Sequence, residues 1–154
     1  NPESCISQRP TNFLSALCPT IVLDDAEEAF QIGARGQKFF AESIQHWNLG
    51  TPLPETVPPE IDIRDAVSDA KEQVEAFMVE GGHPVPAVAA STSPFNIDHA
   101  YGDKNDAIEY VTQLQSAGAD EIMCIMQMGG VPHEAAMETI RQYGEYVIPH
   151  FSDN

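Results

Sequence analysis

Basic side chains are the scarcest chemistry in this chain: seven Lys and Arg face 24 Asp and Glu, a formal charge of −17. Such a surface repels phosphate backbones and anionic lipid, so nucleic-acid and membrane partners are disfavoured. The acid excess reads instead as solubility or salt adaptation. No apolar run approaches the ~20 residues of a spanning helix, and the first residues lack a signal-peptide pattern. Three cysteines occur, Cys5, Cys18 and Cys124, without C-x-x-C spacing. Cys5 and Cys18 could bridge in an oxidising compartment, but nothing requires it, and a reducing cytoplasm is the default. The histidines show no H-x-x-x-H or H-x-x-E-H spacing, and Asp98 beside His99 is only a weak pair, so no metal site is expected. G-x-S-x-G and Walker patterns are missing. The many acids sit at helix starts and exposed faces, which gives no support to a paired-carboxylate hydrolase. There is no short-period repeat and no low-complexity run.

What is present concentrates in Tyr101 to Phe151. Asp103 is a good N-cap with Asp106 in the first turn. Ile108, Val111 and Leu114 then make an apolar stripe at helical spacing, with Ala107 and Gln115 beside it, and Gly118 suits a left-handed C-terminal position. The run Ile122 to Met126 does not alternate, which predicts a strand covered on both faces, with Cys124 buried and inert. Gly129 and Gly130 free the backbone for a tight turn, and Pro132 suits a first helical position. Ala136, Ile140, Tyr143 and Val147 predict the next buried stripe, with Pro149 as its stop.

Upstream, Asn12 to Leu23 is an apolar run read as one strand, kinked or bulged at Pro19. Asp24 and Asp25 can each cap the helix that follows, expected to reach about Trp47. Phe30, Gly33, Phe40, Ile44 and Trp47 share a face of it. Gly33 and Gly36 mark close packing against a neighbour, or a weak point. Asn48 to Pro59 carries four prolines and reads as a semi-rigid connection. A second amphipathic helix is expected over 62–79, a loop over 83–96, and short strands at Ile97 to Tyr101 and Glu121 to Gln127.

Three motifs resemble a known family. G-x-x-x-x-A-I-x-x-V from Gly102, G-A-D-E-I from Gly118, and M-G-G-V-P-H-E-A-A-M-E-T-I ending in V-I-P-H-F resemble the carboxyl end of luciferase-like flavin-dependent monooxygenases. The resemblance is dense over Gly102 to Phe151, about a third of the chain, with a weaker echo at Ala16 to Trp47. It implies an α/β fold, the carboxyl-terminal portion of a (β/α)8 TIM barrel with parallel strands and covering helices. One partial domain is then expected over 1–154. Residues 1–47 would give a strand plus a long helix, 48–96 a Pro-rich connection with a helix, and 97–154 the last βα units. A whole barrel takes about 250 residues. A chain of 154 residues starting at Asn1 therefore reads as a carboxyl-terminal piece or a shortened relative.

The resemblance also implies function: a flavin-dependent monooxygenase using reduced FMN, or the deazaflavin F420, and O2 on a small organic substrate, enzymatic when the rest of the barrel completes it. The chemistry belongs to the cofactor, so no catalytic triad is looked for. In a barrel the site lies at the carboxyl ends of the strands. That face would hold Met128, Gly129, Gly130 and His133, with Tyr101 and Gly102 as further cofactor-binding candidates. His133 is the candidate donor to flavin or substrate, or merely a solvated or capping histidine. No basic cluster exists for a cofactor phosphate, so the chain alone is expected to bind FMN weakly. Three strands leave open edges, which predicts a partner: the missing half of the barrel, or a second copy. A non-catalytic dimerising or flavin-binding module is the alternative.

Overall fold

The computed structural model describes residues 13–65 and 100–152. Everything in them is built on the extended run from Ser15 to Leu23. Its first part, β1 (Ser15–Pro19), pairs in parallel with β4 (Glu121–Ile125). Its second, β2 (Ile21–Val22), pairs in parallel with β3 (Tyr101–Gly102). Successive amides reach opposite edges: Thr20 N–H donates to Ile125 O at 2.9 Å, Ile21 N–H to Ala100 O at 3.0 Å, and Leu23 N–H to Gly102 O at 3.1 Å. The expected single strand is thus a central one that changes neighbours after Pro19. The proline belongs to the alternation of Ile21 and Leu23. Its missing donor therefore faces the β3 edge before the first β3 pair, and neither ladder loses a bond.

β4 stops at Ile125, two residues short of the expected end, which would leave the Val22 amide bare on that edge. Thr139, itself fully buried, takes the place. Its hydroxyl accepts from Val22 N–H at 3.0 Å and donates to Ala135 O at 2.8 Å, with Val22 O 3.3 Å away. A helix therefore closes the ladder that a strand began.

α1 (Ala26–Leu49) starts where expected, since Asp25 accepts from Glu27 N–H and Glu28 N–H at 2.9 and 3.0 Å, and Gly50 ends it in a left-handed conformation. α2 (Lys104–Ser116) opens on a reciprocal capping box: Asp103 accepts from Asp106 N–H, and Asp106 accepts from Asp103 N–H. Gly118 follows at φ 95°. α3 (His133–Gln142) continues through a wide π turn, Tyr143–Val147, into α4 (Ile148–Ser152).

Pro149 therefore does not stop this helix. The π turn just ahead of it, in which Ile148 N–H reaches Tyr143 O, makes room for a ring that would clash in a regular helix. Of the expected stripe, Ala136, Tyr143 and Val147 are buried, but Ile140 faces out.

Helices cover both faces of the strands. Ile21 and Leu23 pack with Ala29 and Ala34 of α1, with Ala135 and Ala136 of α3, and with Tyr101, Met128 and Val131. On the opposite face Val22 packs with Ala107, Tyr143 and Val147, flanked by Val111, Cys124 and Phe151. The described strand order is β3, then the central run, then β4. A barrel wall sets consecutive strands side by side with helices on the outside only. Here β3 and β4, joined by α2, flank a third strand, as in an open parallel sheet.

Among the described residues, little covers the amino end of the sheet. β4 has exposed residues at Glu121 and Met123 and only half-buried ones between and after them, contrary to the two-sided burial expected, because α1 packs on β2 and β3 and not on β4. Leu17 and Met123, register partners, are 62 % and 47 % exposed. Cys18 is the buried thiol, taking a Tyr110 hydroxyl hydrogen bond at 3.4 Å, and Cys124 is half-buried rather than buried. Phe40, Ile44 and Trp47 are exposed on the distal half of α1. The helix expected over 62–79 lies outside the described residues beyond Asp65, as do the 83–96 loop, Cys5, and the Asp98–His99 pair. Among the described residues no helix is long and apolar enough to cross a membrane.

Replacing Thr139 by Val keeps the shape but strips the hydroxyl, leaving Val22 N–H buried and unpaired. A loss of about 1–3 kcal/mol is expected, read as a lower urea midpoint at unchanged slope, whereas Thr139→Ser should retain most of the stability.

Candidate functional site

At the carboxyl end of β4 the chain turns through Gly129 and Gly130, and the two glycines do different work. Gly129 sits at φ 53°, and a Cβ on it would lie 2.5 Å from Gly36 O. Conversely, a Cβ on Gly36 would lie 2.7 Å from Met128 O and 2.5 Å from Val131 Cγ2. The two glycines interlock α1 with the turn. Gly33 makes the same kind of approach to the Tyr101 ring. The close-packing reading of Gly33 and Gly36 holds, and Gly129 spends its freedom on a helix contact rather than on an open approach to a planar ring. Gly130 meets nothing within 4 Å and is free to border a ligand.

Beside this interlock lies a cleft of about 650 Å3, walled by Ile32, Arg35, Gly36 and Phe39 of α1, by Thr56 to Pro59, and by Gly129, Gly130 and Pro132. A second hollow, about 520 Å3, shares Ile32 and Pro132 with it and continues past Leu23 into an acid-rich mouth of Asp24, Asp25, Glu28, Glu134 and Glu138. Both open at the carboxyl ends of parallel strands, where α/β sheets hold their ligands. Among the described residues no group of three His, Cys, Asp or Glu side chains is placed to hold a metal.

The wall at 56–62 belongs to a connection without regular structure that enters a helical turn at 63–65, and it is fastened down. Arg64 grips Glu27 with two hydrogen bonds, 2.6 and 2.7 Å, and lies 4.1 Å over the Phe30 ring. Gln31 donates to Asp62 at 2.8 Å and accepts from Ile63 N–H at 3.1 Å, and Ile63 is fully buried. Arg35 donates to Gln31 O at 3.0 Å, Pro59 O at 3.2 Å and Ile61 O at 2.5 Å.

The residues singled out in the sequence are partly assembled here. Gly129 and Gly130 line the cleft, and Met128 is buried behind them. Tyr101 is buried against Gly33 of α1 and does not line the cleft, its hydroxyl donating to Gln37 at 2.7 Å, and burial pushes its ionisation well above the ordinary tyrosine range. Gly102 is pressed against Asp106, so the Tyr101-Gly102-Asp103 turn serves as a helix cap. His133 stands exposed at the start of α3, away from the cleft walls. Arg35, Phe39 and Thr56 to Pro59 escaped the sequence reading. A lone Arg between two glycines on a helix, followed by a proline cluster, was the available signal.

No family model, no curated protein and no solved structure matches this chain.

The Arg64 hydrogen bonds, with that from Gln31, hold the Glu27 carboxyl down at about 2 from an ordinary 4.5. A depressed carboxyl contributes stability that is whole above its ordinary value and disappears as pH falls through its folded value. The connection's grip on α1 should therefore persist at pH 5 and loosen between about 4.5 and 2. The Glu27 carboxyl carbon, followed by NMR, should titrate near the lower limit, and near the upper one after Arg64→Gln.

Proposed function

We propose that this chain binds a small, flat organic ligand in the cleft between α1 and the Gly129-Gly130 turn, and that it does so as part of a luciferase-like, flavin-dependent oxidoreductase. The observation that carries the binding is the cleft itself: an apolar hollow at the carboxyl end of a parallel strand, with an open glycine on its rim and a fastened connection as its far wall. Apolar walls with few polar groups are the usual make-up of small-molecule sites. The flavin chemistry, with FMN or the deazaflavin F420 as cofactor, rests on the tail from Gly102 to Phe151. In that reading the chain supplies one wall of the pocket, shields the ring from water and presents backbone at Gly130, while the cofactor carries the oxygen chemistry. The open-sheet strand order lends no support to a barrel, so the flavin reading rests on the tail motifs alone.

A second reading, a dimerising module without turnover, is favoured by the exposed apolar pair at the amino end of the sheet, the register partners Leu17 and Met123. Light scattering distinguishes a dimer from a monomer.

Riboflavin and FMN titrated against the chain, followed by quenching of flavin fluorescence, test the chemistry. Weak but saturable one-site binding of the ring is expected, abolished by Gly130→Leu, which fills the cleft. Absence of flavin binding while a neutral aromatic probe still enters the cleft would remove the flavin reading and leave the cleft.

A further inference from the structure

Among the described lysines and arginines, Arg35 and Lys104 have no ion pair; Lys104 is exposed and lies 4.4 Å from the Tyr146 ring centroid, whereas Arg35 lines the cleft. Arg64 is paired with Glu27 and Asp62, Arg141 with Glu138 and Glu145, and Lys38 with Glu42. Among the described residues Arg35 has no carboxylate within ion-pair distance, in a chain whose acids outnumber its bases 24 to 7. It is a wall residue of the cleft, and its Nε–H is buried without an acceptor. Three backbone carbonyls, those of Gln31, Pro59 and Ile61, take hydrogen bonds from its Nη atoms. They orient the guanidinium and stabilise it with dipoles, but they do not neutralise it. A guanidinium carries five donors, so donor capacity remains after those three bonds. The surplus is a full positive charge and an unspent buried N–H beside an apolar hollow.

We propose that Arg35 is the anion anchor of this cleft, and that the ligand is a flat apolar body bearing one oxyanion group, a carboxylate or a phosphate. The proposal rests on the ligand-binding reading of the cleft and adds the ligand's charge. A buried charge without a counter-ion carries a desolvation cost, which an incoming oxyanion offsets by pairing with the guanidinium at its remaining Nη1 N–H. Charge-assisted bonds of this kind are the stronger class. The surrounding acids select in the same direction: carboxylates already populate the neighbouring acid-rich hollow, and none of them reaches Arg35, so the place is kept for a ligand. The same tether explains how a bare arginine survives in the structure. Its carbonyl partners lie on α1 and on the connection, so Arg35 joins the two walls between which the ligand would lie.

Two fluorescent probes of similar shape separate charge from shape: anilinonaphthalene sulfonate, an anion, and the uncharged N-phenyl-1-naphthylamine. Titrations at physiological salt, where the field of the acidic surface extends only about 8 Å, should show tighter binding of the anion to the wild-type chain, by about tenfold, the size of one charge-assisted hydrogen bond. Arg35→Gln should erase that preference, with the anion's affinity falling about tenfold further than the neutral probe's. Arg35→Lys should keep most of it, and Gly130→Leu should weaken both probes. Flavin arms then identify the oxyanion: Arg35→Gln weakening FMN about tenfold more than riboflavin points to phosphate. Weakening of a naphthoate but not of FMN points to carboxylate. An anion preference that survives Arg35→Gln, with Gly130→Leu still blocking both probes, overturns the anchor and leaves the cleft standing. Probes that ignore Gly130→Leu altogether overturn the cleft as well.

Discussion

The hand-over at Thr20 is the constraint on which the rest depends. A strand in the middle of a parallel sheet must satisfy donors on both edges, and this one does so with three neighbours: β4 up to Thr20, β3 from Ile21, and a threonine of α3 at Val22. Because β4 leaves the ladder early, its chain is free to turn through Gly129 and Gly130 at the height of Leu23. Because Thr139 fills the gap, α3 is held beside the central strand. Both events fix the place where α1 meets the glycine turn, and so the place of the cleft.

The interlock of Gly36 with Gly129 then sets how close α1 comes. Any Cβ at either position would push the helix off the turn, since the obstructing atoms include backbone oxygens. Close approach here and a fastened connection on the other side leave a hollow with two firm walls. The three-acceptor tether of Arg35 spans them. A site with walls held independently of the ligand loses little ordering entropy on binding.

Local chemistry was the legible part of the sequence. Asp25, Asp103 and Gly118 act within a few residues of themselves, and each behaves as its type predicts. The parallel strands and covering helices were legible as well. Pairing was not. Nothing in Ser15 to Leu23 says that its two halves have different neighbours, because an edge donor is satisfied by whatever residue arrives, and Thr139 lies 117 positions from Val22. The even apolar run Ile122 to Met126 suggested burial on both faces, yet α1 packs on β2 and β3 and not on β4. Pro149 suggested a helix end, and a π turn accommodated it. At the site, Gly129 and Gly130 were found by their turn chemistry, while Arg35 was hidden because its meaning is the absence of an acid, which only three dimensions reveal. His133 drew attention by residue type and stands outside the cleft.

Amide hydrogen exchange on the native chain tests the central claim most directly. If Ser15 to Leu23 is a central strand completed by a helix, the amides of Thr20, Ile21, Val22 and Leu23 should all fall in the slowest-exchanging class, with Val22 as protected as its neighbours although its N–H is met by the Thr139 hydroxyl and not by a strand. Val22 exchanging as fast as a helix terminus, while Ile21 and Leu23 stay protected, would contradict the hand-over and with it the placement of α3, the glycine turn and the cleft.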